Sequence, residues 1–178
     1  MQLETERLVL RKPRPEDVEG LLGTYGDPEV MRYIAGGDPW TRERTRRALE
    51  RWLRYWDDDG FGLFVIEDAE GRLLGDCGLL PWDSRTWSTG SRKALREHAE
   101  VEIGWTLARA HWGRGYATEA GRAIVALAFG DLDLPRLISL IQPGNERSIR
   151  VATKLGEHYD RDVVTAGGEQ ASLYVVER

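Results

Sequence analysis

The 178-residue sequence predicts an α+β fold in which one mixed, mostly antiparallel sheet is flanked by helices. Three observations predict it. Two apolar runs, Phe61 to Ile66 and Leu73 to Leu80, are joined by the turn-forming Asp68-Ala69-Glu70-Gly71 and read as an antiparallel hairpin. A further strand-like segment enters the glycine pair Gly113 and Gly115 and passes straight into a helix of small residues. After that helix the pattern runs strand, helix and two more strands, which completes a mixed sheet with helices packed on it.

Each element has its own local reason. Leu8-Val9-Leu10-Arg11 alternates weakly and forms a first strand, closed by Pro13 and Pro15. Pro15 opens a short helix through Leu21, Leu22 and Tyr25. A longer helix starts at Asp38-Pro39-Trp40-Thr41, with Thr41 or Asp38 as its cap, and stops at Asp57-Asp58-Asp59-Gly60. Ala48, Leu49, Trp52, Tyr55 and Trp56 recur along it at helical spacing, the signature of a buried face. Residues 82 to 98 are polar around Trp82 and Trp87 and read as a long loop. Glu100 to Leu107 resumes as a strand leading into the glycine pair, and the helix that follows sets Ala117, Ala120, Gly121, Ile124 and Ala128 on one side. Leu137 to Ile141, bounded by Pro135 and Pro143-Gly144, is another strand. Asn145-Glu146-Arg147-Ser148 begins a helix through Ile149, Ala152 and Leu155 that Gly156 ends. His158 to Val164 and Ser172 to Val176 are the final strands.

Length and composition bound the function. The whole chain, 1–178, reads as a single domain with one core. A net charge of −5 disfavours a nucleic-acid surface, and no apolar run reaches membrane length. The N-terminus is polar and acidic, which points to a cytoplasmic protein. Cys77 is the only cysteine, so no disulfide forms within the chain, and it reads as a small buried residue. His98, His111 and His158 lack any paired ligand spacing, so no metal site is expected.

The stretch Ala110-His111-Trp112-Gly113-Arg114-Gly115-Tyr116-Ala117-Thr118-Glu119-Ala120-Gly121 has the grammar of an anion cradle. Glycines allow positive φ and close approach of a ligand to the backbone, and the unpaired N–H groups of the next helical turn point at a negative guest. A dinucleotide fingerprint would need Gly or Ala where Thr118 stands, and a Walker loop needs Gly-Lys-Ser/Thr, which the chain lacks. The stretch resembles instead the acyl-CoA pyrophosphate loop of the GNAT N-acetyltransferase superfamily, in the form carried by its ribosomal-protein N-acetyltransferase branch. Ala110 stands at the family's opening Gln/Arg position. The resemblance continues in Asn145-Glu146-Arg147-Ser148 and Lys154-Leu155-Gly156, where Glu157 replaces the usual Phe.

The resemblance implies an acyltransferase that moves acetyl from acetyl-CoA to a primary amine by direct attack in a ternary complex. The amine would belong to a protein N-terminus or a small molecule, with no metal involved; a homodimer is left open. It places the pyrophosphate on Trp112, Gly113, Arg114, Gly115, Tyr116, Ala117 and Thr118. Pantetheine would run beside the preceding strand, with the thioester end near Gly104, Trp105, Thr106 and Leu107, and with Asn145 and Ser148 facing it. Taken alone, Asn145 is a helix cap. Many relatives carry a thiolate-protonating Tyr where this chain has Ala152, which leaves Ser148, water or another side chain as the acid. Val101-Glu102-Ile103-Gly104 resembles the family segment whose Glu lies near the amine. Glu100 and Glu102 share a strand face, so either could serve, and Glu102 is the assigned base. Trp52 or Tyr55 could wall the acceptor pocket, and the 82–98 segment could form a lid over it. The alternatives are a non-catalytic acyl-CoA-binding or regulatory module and an interaction scaffold using exposed Trp residues.

Overall fold

The computed structural model describes residues 1–178. The strands are β1 (Gln2–Glu4), β2 (Val9–Arg11), β3 (Leu63–Glu67), β4 (Leu73–Asp83), β5 (Ala99–Leu107), β6 (Arg136–Ile141), β7 (His158–Val164) and β8 (Gln170–Glu177). They form one sheet in the order β1-β2-β3-β4-β5-β6-β8-β7. Every neighbouring pair is antiparallel except β5 and β6, which run parallel and are in register at one position, Glu102 opposite Ile138. The helices are α1 (Val18–Tyr25), α2 (Pro28–Met31), α3 (Arg42–Asp59), α4 (Arg92–Leu95), α5 (Tyr116–Phe129) and α6 (Glu146–Lys154). No helix is long and apolar enough to cross a membrane.

Sequence explains where most of these begin and end. Thr41 caps α3, its Oγ1 accepting the Arg44 N–H at 3.2 Å, and Gly60 closes it at φ 75°, returning its N–H to the Trp56 carbonyl. One face of α3 carries Ala48, Leu49 and Trp52, which pack with Val18, Leu21 and Tyr25 of α1 on Leu63 and Val65 of β3. Tyr55 is buried too, so the aromatic stripe is core and not a pocket wall. The opposite sheet face receives Ala120, Ile124, Leu127 and Ala128 of α5 against Phe64, Leu79, Ile103 and Leu137. Cys77 is fully buried in the same cluster. Gly121 lets α5 lie close to Leu155, since a Cβ would stand 2.7 Å from its Cδ1 and would push that side chain aside.

Three elements were hidden. β1 is three residues long and contributes one partly buried Leu3, too little for a periodicity to register. The four-residue α2 is capped by Asp27, whose side chain accepts the Glu29 N–H at 2.9 Å. The third is a correction: the 82–98 segment is not a long loop. β4 runs on to Asp83, Trp82 bridges to Thr89, Ser91 caps α4, and Ser84 N–H meets the His98 carbonyl at 2.9 Å. The cause is Trp87, whose ring is 8% exposed and packs on Ile138, Leu173 and Val175. On that sheet face α1 and α3 lie over β3, and over β6 and β8 it is the indole that covers the sheet. All seven Trp residues are buried or half-buried, which removes the scaffold of exposed Trp residues.

Trp87 holds φ at +51°, a left-handed conformation costing a bulky residue roughly 1–2 kcal/mol, so its burial must outweigh that strain. Trp87→Ala keeps the backbone penalty and removes the ring. It is expected to lower unfolding free energy by about 3–5 kcal/mol in urea titrations; a variant within error of wild type would mean that the segment does not cover the sheet.

Candidate functional site

The site begins where the ladder stops. β5 and β6 share the Glu102–Ile138 rung and then part, so the edge of β5 from Gly104 to Leu107 has no strand beside it. A Cβ on Gly104 would meet nothing within 4 Å. The backbone of Gly104 and Thr106 turns to Gly78 and Asp76 of β4, and the Leu107 carbonyl is taken by Trp112 Nε1 at 2.8 Å, which leaves the Trp105 N–H and C=O and the Leu107 N–H facing the gap.

At the end of that edge the chain makes the expected turn. Gly113 and Gly115 have φ of 74° and 82°, and α5 starts at Tyr116 with Glu119 N–H as its first bonded amide, to the Gly115 carbonyl. The amides from Gly113 to Thr118 donate to no other group in the chain. A Cβ on Gly113 would stand in open space, and one on Gly115 would approach only Arg7 Nη2, at 3.6 Å. Consecutive free amides at the start of a fourteen-residue helix form a cradle that fits a pyrophosphate. Arg7, invisible to sequence reasoning, leans on this loop: it donates to the Arg114 carbonyl at 3.1 Å and to Glu119 at 2.7 Å, and its guanidinium lies over the Tyr116 ring.

The second expected segment lies across the gap. Asn145 Oδ1 accepts the Ser148 N–H at 3.3 Å, so Asn145 is the helix cap its sequence position indicates, and Ser148 is half-buried on the first turn of α6. Between them Arg147 places its guanidinium 4.3 Å from the Trp112 ring centroid, bringing the α6 turn and the glycine loop together.

The acidic residues separate by environment. Glu102 is half-buried: Oε2 accepts Trp82 Nε1–H at 2.6 Å, and Oε1 accepts the Leu140 N–H at 3.2 Å, in place of the ladder bond lost where the strands part. Burial pushes its carboxyl up to about 7, against the pull of those two donors. Glu100, on the same face, sits with Oε2 3.1 Å from Arg136 Nε, a charge contact without hydrogen-bond alignment. Glu157 is buried behind β6, with Oε1 3.0 Å from Ser139 Oγ. Burial lifts its carboxyl to about 8, offset by Ser139 and reinforced by the charge of Glu102. Glu100, Glu102 and the Glu157 substitution were visible in the sequence; that Trp82 and Ser139 meet two of these carboxyls across strands is something no spacing reveals.

A profile described as Acetyltransferase (GNAT) domain matches residues 7–158. The chain is 31% identical to an uncharacterized N-acetyltransferase, p20, of Bacillus licheniformis, over 97% of this chain and 93% of that one. Among solved structures, an acetyltransferase from Agrobacterium tumefaciens superposes with a TM-score of 0.80 at 29% identity, covering 100% of this chain and 95% of the other. The ribosomal-protein-S5-alanine acetyltransferase of Vibrio fischeri shares the fold at 16% identity and a TM-score of 0.73, over 99% and 96% of the two chains.

Gly115→Val tests the cradle. A β-branched residue at this φ is strained by roughly 1–2 kcal/mol, and its methyls would stand before the free amides. Titration calorimetry should show coenzyme A affinity falling by at least about tenfold with the circular dichroism spectrum retained; undiminished affinity would refute the cradle.

Proposed function

Because the chain belongs to the GNAT N-acetyltransferase family, acyltransferases that use acetyl-CoA, we propose that it acetylates a primary amine by direct attack within a ternary complex, with Glu102 as the base. The amine is that of a protein N-terminus or a small molecule. The observation that carries this reading is the position of Glu102, a half-buried carboxylate at the rung where β5 and β6 part, beside the open edge at Trp105 and Leu107.

Acetyl-CoA supplies the acyl group as a thioester. The free amides from Gly113 to Thr118 hold its pyrophosphate, and the β5 edge aligns the pantetheine so that a strand amide faces the thioester carbonyl. Trp82 and the Leu140 N–H fix the Glu102 carboxylate, which attracts the acceptor's ammonium group and takes its proton, since only a neutral amine attacks. Ser148, on the first turn of α6, is the candidate proton donor to the leaving sulfur, with Ala152 fully buried beneath the helix and carrying no acid. Glu100 is held by Arg136 and takes no part.

Glu102→Gln keeps the shape and the Leu140 contact but cannot accept a proton. Turnover should fall by about a hundred- to ten-thousand-fold while acetyl-CoA affinity is retained. Since the Glu102 carboxyl ionises near 7, wild-type turnover should rise as the pH passes through that value, and the variant should lack this rise. Glu100→Gln is the control. Near-full turnover in Glu102→Gln, measured as thiol release with peptide, polyamine and aminoglycoside amines, would overturn the assignment.

A further inference from the structure

Two carboxyls meet the same rung from opposite faces of the sheet. Glu102 and Ile103 are neighbours on β5, and Ser139 and Leu140 are neighbours on β6. On one face Glu102 bonds Leu140; on the other Ser139 Oγ stands 2.8 Å from the Ile103 carbonyl and 3.0 Å from Glu157 Oε1. A hydroxyl has one hydrogen and a carbonyl can only accept. Both Ser139 contacts are hydrogen bonds only if Ser139 donates to Ile103 and Glu157 donates to Ser139, which requires a protonated Glu157. Glu157 Oε2 agrees, because it is buried without any partner, a position costly for a charged oxygen and tolerable for the carbonyl oxygen of a neutral acid. Glu102 is the opposite case: both of its oxygens receive groups that can only donate, which suits a carboxylate.

We propose that Glu157 is a positioning residue for the transfer, held as the neutral acid behind the rung where β5 and β6 part, so that Ser139 stays locked on the Ile103 carbonyl and Glu102 is the sole anion there. This rests on the role assigned to Glu102. The ordering of the two groups supports it, since Glu157 ionises at about 8, above Glu102 at about 7, and the charge of Glu102 is part of the cause. Other charged groups on the surrounding elements do not intervene. Lys154 on α6, His158 on β7, Arg122 on α5 and Glu177 on β8 are exposed, and Arg136 on β6 is held by Glu100. When Glu157 ionises, the hydrogen of Ser139 turns to it, and the Ile103 carbonyl, just before the open edge, loses its donor.

Glu157→Gln retains a donor to Ser139 and cannot titrate. Its folded-state carboxyl lies above the ordinary unfolded value, so the stability it contributes is complete below that value and is lost as pH rises through about 8. Urea midpoints followed from about pH 6 to about pH 9 should therefore rise in Glu157→Gln relative to wild type as pH increases. With acetyl-CoA and whichever of the screened amines turns over, wild-type kcat should fall above about pH 8 and that of Glu157→Gln should not. Ser139→Ala breaks the link and should lower kcat already at neutral pH. An alkaline fall that persists in Glu157→Gln, an unchanged difference in midpoints across the range, or full activity of Ser139→Ala each overturns the proposal. If all three results hold while Glu102→Gln stays active, the role of Glu102 as base fails, while the neutral Glu157 and its lock on Ser139 and the Ile103 carbonyl stand.

Discussion

The structure depends on one interrupted ladder. The sheet is two antiparallel halves, β1 to β5 and β6 to β8, joined by a parallel seam with a single registered pair. Continued pairing along that seam would satisfy more backbone and abolish the groove. Backbone groups at a break cannot be left dry and unbonded, and side chains take over: Glu102 receives the Leu140 N–H, and Ser139 faces the Ile103 carbonyl. The groups that hold the sheet together where its ladder ends thus include the carboxyl that we propose as the base.

Such a junction is costly to build. Three acids are set into the sheet or against it. Glu102 and Glu157 flank the seam, and Asp76 on β4 is buried with the Tyr25 hydroxyl donating to it at 2.7 Å. Burial raises Asp76 to about 7, partly offset by Tyr25. Apolar residues at these positions would pack with less penalty. The surrounding core is correspondingly dense, with α5 so close that a Cβ on Gly121 would displace the Leu155 side chain.

What the sequence discloses follows from locality. The glycine turn, the Asn145 and Thr41 caps, the α3 stop at Gly60 and the 61–80 hairpin were legible because each is written within a few adjacent residues. The small-residue face of α5 was legible for the same reason. Trp87 was misread because polar neighbours surround it, while its burial is decided by Ile138 and Leu173, far along the chain. Glu102 could be located by its strand and its motif, yet the partners that set its charge, Trp82 and Leu140, come from two other strands. Glu157 was visible as an acid in an apolar slot; that it faces Ser139 required the folded sheet.

The anchor at the N-terminus bears on how the chain is made. Thr5 and Arg7 both bond Glu119, at 2.6 and 2.7 Å, across more than a hundred residues. During synthesis the first hairpin leaves the ribosome long before its clasp exists. At ordinary translation speeds the interval is roughly 6 to 22 s. β3 pairs with β2 within that time, so what waits is the loop between β1 and β2 that holds Thr5 and Arg7, and the helix that fastens it is the one whose first turn carries the free amides. The two ends of this wait are therefore matched: the helical turn that fastens the loop after β1 is the one that completes the glycine loop's row of free amides.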